Sequence, residues 1–506
     1  MIIVDKNRET DILIVAEGTY PYVKGGVSSW IHSLITGLTE FNFGVIFLGS
    51  RKEDYGDIKY KLPENLTYLS ANFIFSDKEK PPPRILNSDS EKMEKVKELH
   101  KWFRRSGEKE LPETWKSQKF YIKEVTEEEF LYSREAWNFI ADSYFELAGD
   151  VPFIDYFWTV RNIHDPVWRV ASIMENIPEA KIIHSPSTGY AGFLSAMAKS
   201  EKKLPFILTE HGIYTRERKI DIVNADWISD RGFFFQKEVG EIDHLKKMWI
   251  SFFRGIGAFC YDSADVIISL FEDARKLQIA LGAPEEKTEV IPNGVKVKNF
   301  LKARKARPQN PPPVIGLIGR VVPIKDIKTF IKAMRIVVNK MPEAQGWVVG
   351  PTDEDPDYYE ECLKLVNALN LENSIKFLGF QDLKNIFPRI GLTTLTSISE
   401  GMPLVVLESF AAGVPCVTTN VGSCKQLIYG GLNSEDLKIG KAGEVCHVAN
   451  PGELADAYVE LLNNKILWKK YQKSGIERVE RFYDYQMFLN NYRKLYRSFI
   501  HGRHSV

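Results

Sequence analysis

Residues 11–38 read DILIVAEGTYPYVKGGVSSWIHSLITGL, and this stretch decides the fold class. Asp11-Ile-Leu-Ile-Val-Ala16 is apolar at every position after the aspartate, so both faces of that strand expect cover. A turn containing Lys24-Gly25-Gly26 follows. Then Val27, Trp30, Ile31, Leu34, Ile35 and Leu38 form one apolar face at the helical period. A doubly covered strand, a turn and an amphipathic helix are the repeating unit of a parallel sheet sandwiched between helices.

The unit recurs along the chain. Residues 44–49 make the next strand, and Lys181-Ile-Ile-His184, Pro205-Phe-Ile-Leu-Thr-Glu-His211, 264–270 and 288–292 continue the series. Between them, residues 50–150 carry Pro81-Pro82-Pro83 and dense Lys/Glu stretches, which read as a charged helical insertion. LKARKARPQNPPP, residues 301–313, is polar, basic and proline-rich, as a linker between domains is. A second series opens at Pro313-Val-Ile-Gly-Leu-Ile-Gly319. Its first helix places Ile327, Phe330, Ile331, Met334, Val337 and Val338 on one face, and strands are expected near 346–350, 374–379, 392–396 and 414–418. The expected architecture is α/β: two Rossmann-like, doubly wound domains facing a central cleft, the first carrying the insertion. The expected boundaries are 1–300, a linker at 301–313, 314–480, and a C-terminal helix at 481–506 that returns to the first domain. Ligands in such sheets bind beyond the carboxyl ends of the strands.

The 506 residues hold 67 basic and 67 acidic side chains, and this balance argues against a nucleic-acid surface. The first charge comes after four residues, too early for a signal-peptide core, and no apolar run is long enough to span a membrane. The five cysteines form no C-x-x-C pair and suit a reducing cytoplasm as free thiols. The nine histidines lack zinc spacing, and no serine sits in a G-x-S-x-G elbow. Asp353-Glu-Asp355 lies in an acidic run with prolines and reads as a solvated loop, so no metal site is expected.

Four motifs can carry chemistry. Lys24-Gly25-Gly26-Val27-Ser28 opens a helix, where backbone N–H groups are free and glycine admits a ligand closely; a plain tight turn reads the same way. Arg320 and Lys325 fall in the turn after the first strand of the second series, where a guanidinium fork and a point charge can clamp a diphosphate, or simply face solvent. Ser399-Glu400-Gly-Met-Pro-Leu-Val-Val-Leu-Glu408 places Pro403 at the first helical position and Glu408 about two turns inside an apolar helix. A carboxylate there needs partners, and the paired hydroxyls of a ribose are suitable; a solvent-facing helix edge is the plain alternative. Thr209-Glu210-His211-Gly212 follows a strand and directs His211 toward the cleft, or into a structural turn.

In this order and spacing, the four motifs resemble those of GT-B fold glycosyltransferases of family GT4, and the resemblance covers the chain apart from residues 50–150. Glu400 and Glu408 match the E-x7-E signature of retaining enzymes, and Arg320 and Lys325 match the G-R-x4-K phosphate pair. Residues 16–30 and 209–218 look like those of the cytoplasmic glycosyltransferases of Pel-type exopolysaccharide biosynthesis. The resemblance implies roles. His211, Arg320, Lys325 and Glu400 would be catalytic. Gly25, Gly26, Phe380, Gly401, Met402, Pro403, Leu404, Val405 and Glu408 would bind the donor, with Glu408 on the ribose and Phe380 near the uracil. Ile324 stands where many relatives carry an acidic residue.

The function so implied is metal-independent retaining transfer of a hexose from a UDP-sugar to a growing exopolysaccharide. UDP-glucose is the favoured donor, with a UDP-N-acetylhexosamine as the other. No cofactor is expected, and the partners would be the donor, a glycan acceptor and inner-membrane polysaccharide-synthesis proteins, in the cytoplasm at the inner face of the membrane. Two other readings stand beside it: a synthase making a small glycoside or disaccharide on the same fold, and a non-catalytic assembly subunit that binds nucleotide sugar.

Overall fold

Strand β2 (Thr10–Glu17) is buried at its core residues Ile12 to Ala16, on both faces, as its unbroken apolar run requires. In the computed structural model it is the fourth strand of an eight-stranded sheet with the order β1-β4-β3-β2-β5-β6-β7-β8. The strands are β1 (Ile2–Asp5), β3 (Phe43–Gly49), β4 (Leu66–Phe73), β5 (Ala180–Ser185), β6 (Phe206–Glu210), β7 (Val266–Ser269) and β8 (Thr288–Val290). The structure describes all residues except 76–85, 106–110, 112, 148–150, 226–227, 229–241 and 503–506. The run Pro81-Pro82-Pro83 therefore lies outside the described residues. The pairings from β4 through β3, β2, β5 and β6 to β7 are parallel, while β1 runs antiparallel to β4 at the edge.

A second sheet has six strands in the order β11-β10-β9-β12-β13-β14, all parallel. They are β9 (Val314–Ile318), β10 (Gln345–Val349), β11 (Ile375–Phe377), β12 (Leu392–Leu395), β13 (Cys416–Thr419) and β14 (Gly443–Cys446). Each sheet reverses its winding once, between β2 and β5 in the first and between β9 and β12 in the second. At such a switch point the loops leave in opposite directions and open a crevice beyond the carboxyl ends of the strands.

The helices cover the sheets as the periodicity predicts. The helix Gly26–Gly37 buries Trp30, Ile31, Leu34 and Ile35, and the helix Ile327–Lys340 buries Ile327, Phe330, Ile331, Met334 and Val337. Each large apolar side chain so buried contributes about 1.5–3 kcal/mol. Asp326 caps the second helix, its carboxylate accepting from the Thr329 N–H at 3.2 Å, from a left-handed backbone position (φ 44°).

Several boundaries differ from the sequence reading. Compact units comprise residues 1–269, 276–289 and 493–506 (unit 1) and residues 270–275 and 290–492 (unit 2). The division thus falls ahead of 301–313, and Leu301–Lys305 is a helix within unit 2 rather than part of an extended linker. The interval 50–150 is not wholly an insertion, because β4 belongs to the sheet; its helices follow, among them Ser90–Arg104, Glu127–Tyr132 and Arg134–Leu147. The C-terminal stretch is two helices, Lys465–Phe482 and Tyr485–Ile500, interrupted where Val295 bridges Asp484 in parallel fashion. Within unit 1, Tyr496 from the last helix comes within 2.8 Å of His184 Nδ1, and Arg493 pairs with Glu40. All five cysteines are free and buried, and burial pushes their thiols up, Cys362 to about 11. Among the described residues, no helix is long and apolar enough to cross a membrane.

Candidate functional site

The sequence motifs gather at the two switch points, one set on each unit. In unit 1 they leave β2, β5 and β6. Glu17 ends β2, and its carboxylate is taken up on both oxygens. Oε2 accepts the Ala191 N–H at 3.0 Å, at the start of the helix Tyr190–Lys202, and Oε1 accepts the Tyr214 hydroxyl at 2.8 Å. Burial pushes the Glu17 carboxyl up from its ordinary value. The approach is tight enough that a Cβ on Gly189 would lie 2.5 Å from Glu17 Oε2, so glycine is required there. Glu210 ends β6 in the same manner, accepting from Thr188 Oγ1 at 3.0 Å, Tyr261 Oη at 2.6 Å and Gln278 Nε2 at 3.0 Å.

That anchored strand end presents His211. Its ring packs edge-on against Trp30 at 4.7 Å between centroids, and Nε2 has no hydrogen-bond partner among the described residues. Burial lowers its pKa to about 3, so the imidazole is neutral throughout the physiological range and can donate from one nitrogen and accept at the other. A cavity of about 690 Å³ opens beside it, lined among others by Glu17, Thr19, Ser187, His211, Tyr214 and Arg218. Thr19 Oγ1, Ser187 Oγ and Arg218 Nε also lack partners among the described residues, so four buried polar atoms that line this space find no hydrogen bond there. Gly25 and Gly26 stand at the start of the helix Gly26–Gly37, with open space in front of both; Gly25 is fully extended (φ 178°), so neither glycine is demanded by strain.

In unit 2 the residues leave β9 and β12. Arg320 is half-exposed and pairs with Glu354 at 2.6 Å. A pair so wetted is worth under about 1 kcal/mol, which leaves the guanidinium easily redirected. Glu354 belongs to the acidic run read as a solvated loop, and Asp355 caps the helix Pro356–Ala368 by accepting from the Tyr358 N–H at 3.0 Å. Lys325 is more enclosed, and Nζ meets Glu400 Oε1 at 2.5 Å. The sequence reading gave these two side chains separate ligands; in the structure they hold each other.

The helix after that loop is Leu404–Ala411, with Pro403 just before its first turn rather than in it. Glu408 is therefore about one turn inside, not two. Its carboxylate makes no hydrogen bond or ion pair with any described residue, and burial alone pushes it up to about 7. The N–H groups of Leu404 and Val405, the first two of this helix, likewise meet no acceptor among the described residues. Met402 is buried and its sulfur accepts the Asn293 N–H at 3.3 Å, so its side chain is committed to packing. Gly401 accepts the Ser423 N–H through its carbonyl at 2.9 Å. Gly422 is required by close approach and by φ 51°: a Cβ there would lie 2.3 Å from the carbonyl oxygens of both Glu400 and Gly401. Phe380 stands 84% exposed after Gly379, whose φ is 63°.

Unit 2 thus presents two basic side chains, each paired with a carboxylate, together with helix-terminal amides and a carboxylate that meet no partner among the described residues, a set of groups able to take a phosphorylated polyol. Residues 10–286 match the family model described as a domain of unknown function, DUF3492. The chain belongs to that family. Residues 312–464 match the model described as glycosyl transferases group 1, so unit 2 carries a group 1 glycosyltransferase domain. No curated protein matches the chain. Among solved structures it is similar to HepE from Anabaena in complex with UDP and glucose, at 15% identity and a TM-score of 0.58, covering 97% of this chain and 100% of that one. It is also similar to the sucrose-phosphate synthase of Thermosynechococcus elongatus, at 16% identity and a TM-score of 0.57, covering 98% and 100%. A glycosyltransferase from Rickettsia africae follows at 15% identity and a TM-score of 0.55, covering 97% and 99%. These likenesses establish the two-domain GT-B fold.

The sequence reading missed Glu17 and Glu210. Each is the acidic residue that closes its strand after an apolar run, and that position, at the carboxyl end beside the switch point, is the signal that finds them.

Proposed function

We propose that this glycosyltransferase transfers a hexose from a UDP-sugar to a hydroxyl of a growing glycan, with retention at the anomeric carbon and without a metal ion. The observation that carries the reading is Glu408: a partly buried carboxylate with no partner among the described residues, one turn inside a helix whose first two amides meet no acceptor among them. A carboxylate accepts two hydrogen bonds and suits the paired hydroxyls of a ribose. Arg320 and Lys325 supply positive charge for the diphosphate, joined by the amides of Leu404 and Val405. As the sugar–phosphate bond breaks, these groups stabilise the charge on the leaving phosphate, and losing one such group typically costs about 10²–10³ in rate. Glu400 serves the hydroxyls of the sugar, and the neutral His211 the reacting face. Within unit 1, the cavity beside His211 is the place we assign to the acceptor.

The Pel-type resemblance of residues 16–30 and 209–218 points to a polymeric exopolysaccharide as product, made by a cytoplasmic protein recruited to the inner membrane face. UDP-glucose is the favoured donor, a view that the UDP and glucose in HepE's description support. The test is UDP release by the purified chain across a panel of UDP-sugars, followed by the size and anomeric configuration of the product. A polymer with the donor's anomeric configuration is expected; an inverted linkage or a free disaccharide would refute the mechanism or the product class respectively.

A further inference from the structure

One oxygen of Glu400 carries two bonds. Oε1 accepts from Lys325 Nζ at 2.5 Å and from Ser397 Oγ at 2.6 Å, while Oε2 makes no hydrogen bond with any described residue. The two donors differ in freedom. Lys325 reaches Glu400 through a long flexible side chain. Ser397 is buried, and its backbone is fixed at the end of β12: its carbonyl accepts from Thr419 Oγ1 at 2.7 Å, and the following Ile398 N–H donates to the Ile324 carbonyl at 2.9 Å. The same strand end fixes the Lys325 turn, because Thr396 Oγ1 donates to the Lys325 carbonyl at 2.8 Å.

If Lys325 serves a diphosphate, its charge is drawn from Glu400 when the donor binds. A carboxylate that loses its only cation swings freely unless something else holds it. We propose that Ser397 is a positioning residue, holding Glu400 by Oε1 in the donor-loaded enzyme so that Oε2 points to a hydroxyl of the transferred sugar. This rests on the reading of unit 2 as a UDP-sugar site. A neutral hydroxyl suits the task, because it fixes the carboxylate without competing for the diphosphate as a second cation would.

The test uses the full chain with Ser397→Ala and Ser397→Cys, the latter nearly isosteric but a weak donor. A hydrogen bond to a charged group lost at this point lowers kcat about 10- to 100-fold in S397A. S397C is expected to fall between S397A and wild type, and the Kd for UDP, which lacks the sugar, to stay within twofold. In a Glu400→Ala background, S397A should cost nothing further, since the residue acts through Glu400. A kcat within twofold of an active wild type overturns the proposal alone. So does a parallel loss of UDP affinity, or an equal loss in the Glu400→Ala background; either would make Ser397 a general support of the loop. A wild-type protein that neither binds UDP nor releases it overturns the UDP-sugar reading and this proposal together.

Discussion

Glu408 is the place where the site should work against the fold, and Glu408→Gln exposes the conflict. The carboxyl is raised from 4.5 to about 7 by burial, with no partner to offset it. A pKa higher in the folded chain means that the ionised form weakens folding, so the penalty is absent in acid and grows as pH rises through 7. Integrated between the two values it approaches about 3 kcal/mol at pH 8 and is under about 1 kcal/mol at pH 5. Glutamine keeps the shape and cannot ionise. The stability of E408Q relative to wild type should therefore rise by about 2–3 kcal/mol between pH 5 and pH 8, read as urea midpoints at the two pH values. In a domain of this size that corresponds to a melting-temperature difference of about 5 °C or more. On the proposed ribose role, the same substitution removes two charge-assisted hydrogen bonds and should weaken UDP binding roughly 100-fold. Wild-type UDP affinity should fall about tenfold from pH 8 to pH 6 beyond any slope E408Q retains, because only the carboxylate accepts both bonds. A stability difference that is flat in pH, or a UDP Kd unchanged in E408Q, would refute the reasoning.

Lys325→Ala should lower transfer by about 10²–10³ while the chain stays folded, measured as UDP release beside a thermal melt. Gly422→Ala should abolish UDP binding in calorimetry, because its Cβ would strike the carbonyls of Glu400 and Gly401 and move the loop. Tyr496→Phe deletes the hydroxyl 2.8 Å from the buried His184 and should lower unit 1 stability by about 1–3 kcal/mol in denaturant titration, with UDP affinity unchanged. Phe330→Ala, at a fully buried position under the second sheet, should cost about 3–5 kcal/mol and reduce the melting temperature accordingly.

Much of the fold is legible in residues 11–38 and in the helix over 327–340, because burial on one face imposes a period that local sequence displays. Strand β4 and edge strand β1 were not read, since a charged neighbourhood masks the first and the second is a short edge piece. The break at Tyr483–Asp484 was also missed, because the helical pattern runs through it and only Val295 pairing across reveals it. Spacing singles out Arg320, Lys325, Glu400 and Glu408, and the structure places all four in unit 2, at the ends of β9 and β12 and in the helix that follows. Ser397, Glu17 and Glu210 were not found by spacing, because their roles depend on partners such as Thr419, Ala191 and Gln278 that lie far off along the chain.

By itself, the sequence determined the parallel α/β class and which charged residues stand in loops and helix starts after the strands, since strand burial, helix periodicity and motif spacing are short-range properties. Only the tertiary structure decided which charge meets which. Lys325 is held by Glu400, Arg320 leans on an exposed Glu354, and Glu408 has no partner among the described residues. The physical reason is that the strength of a charge depends on burial and on neighbours brought from distant loops, and neither is written in any local run of residues.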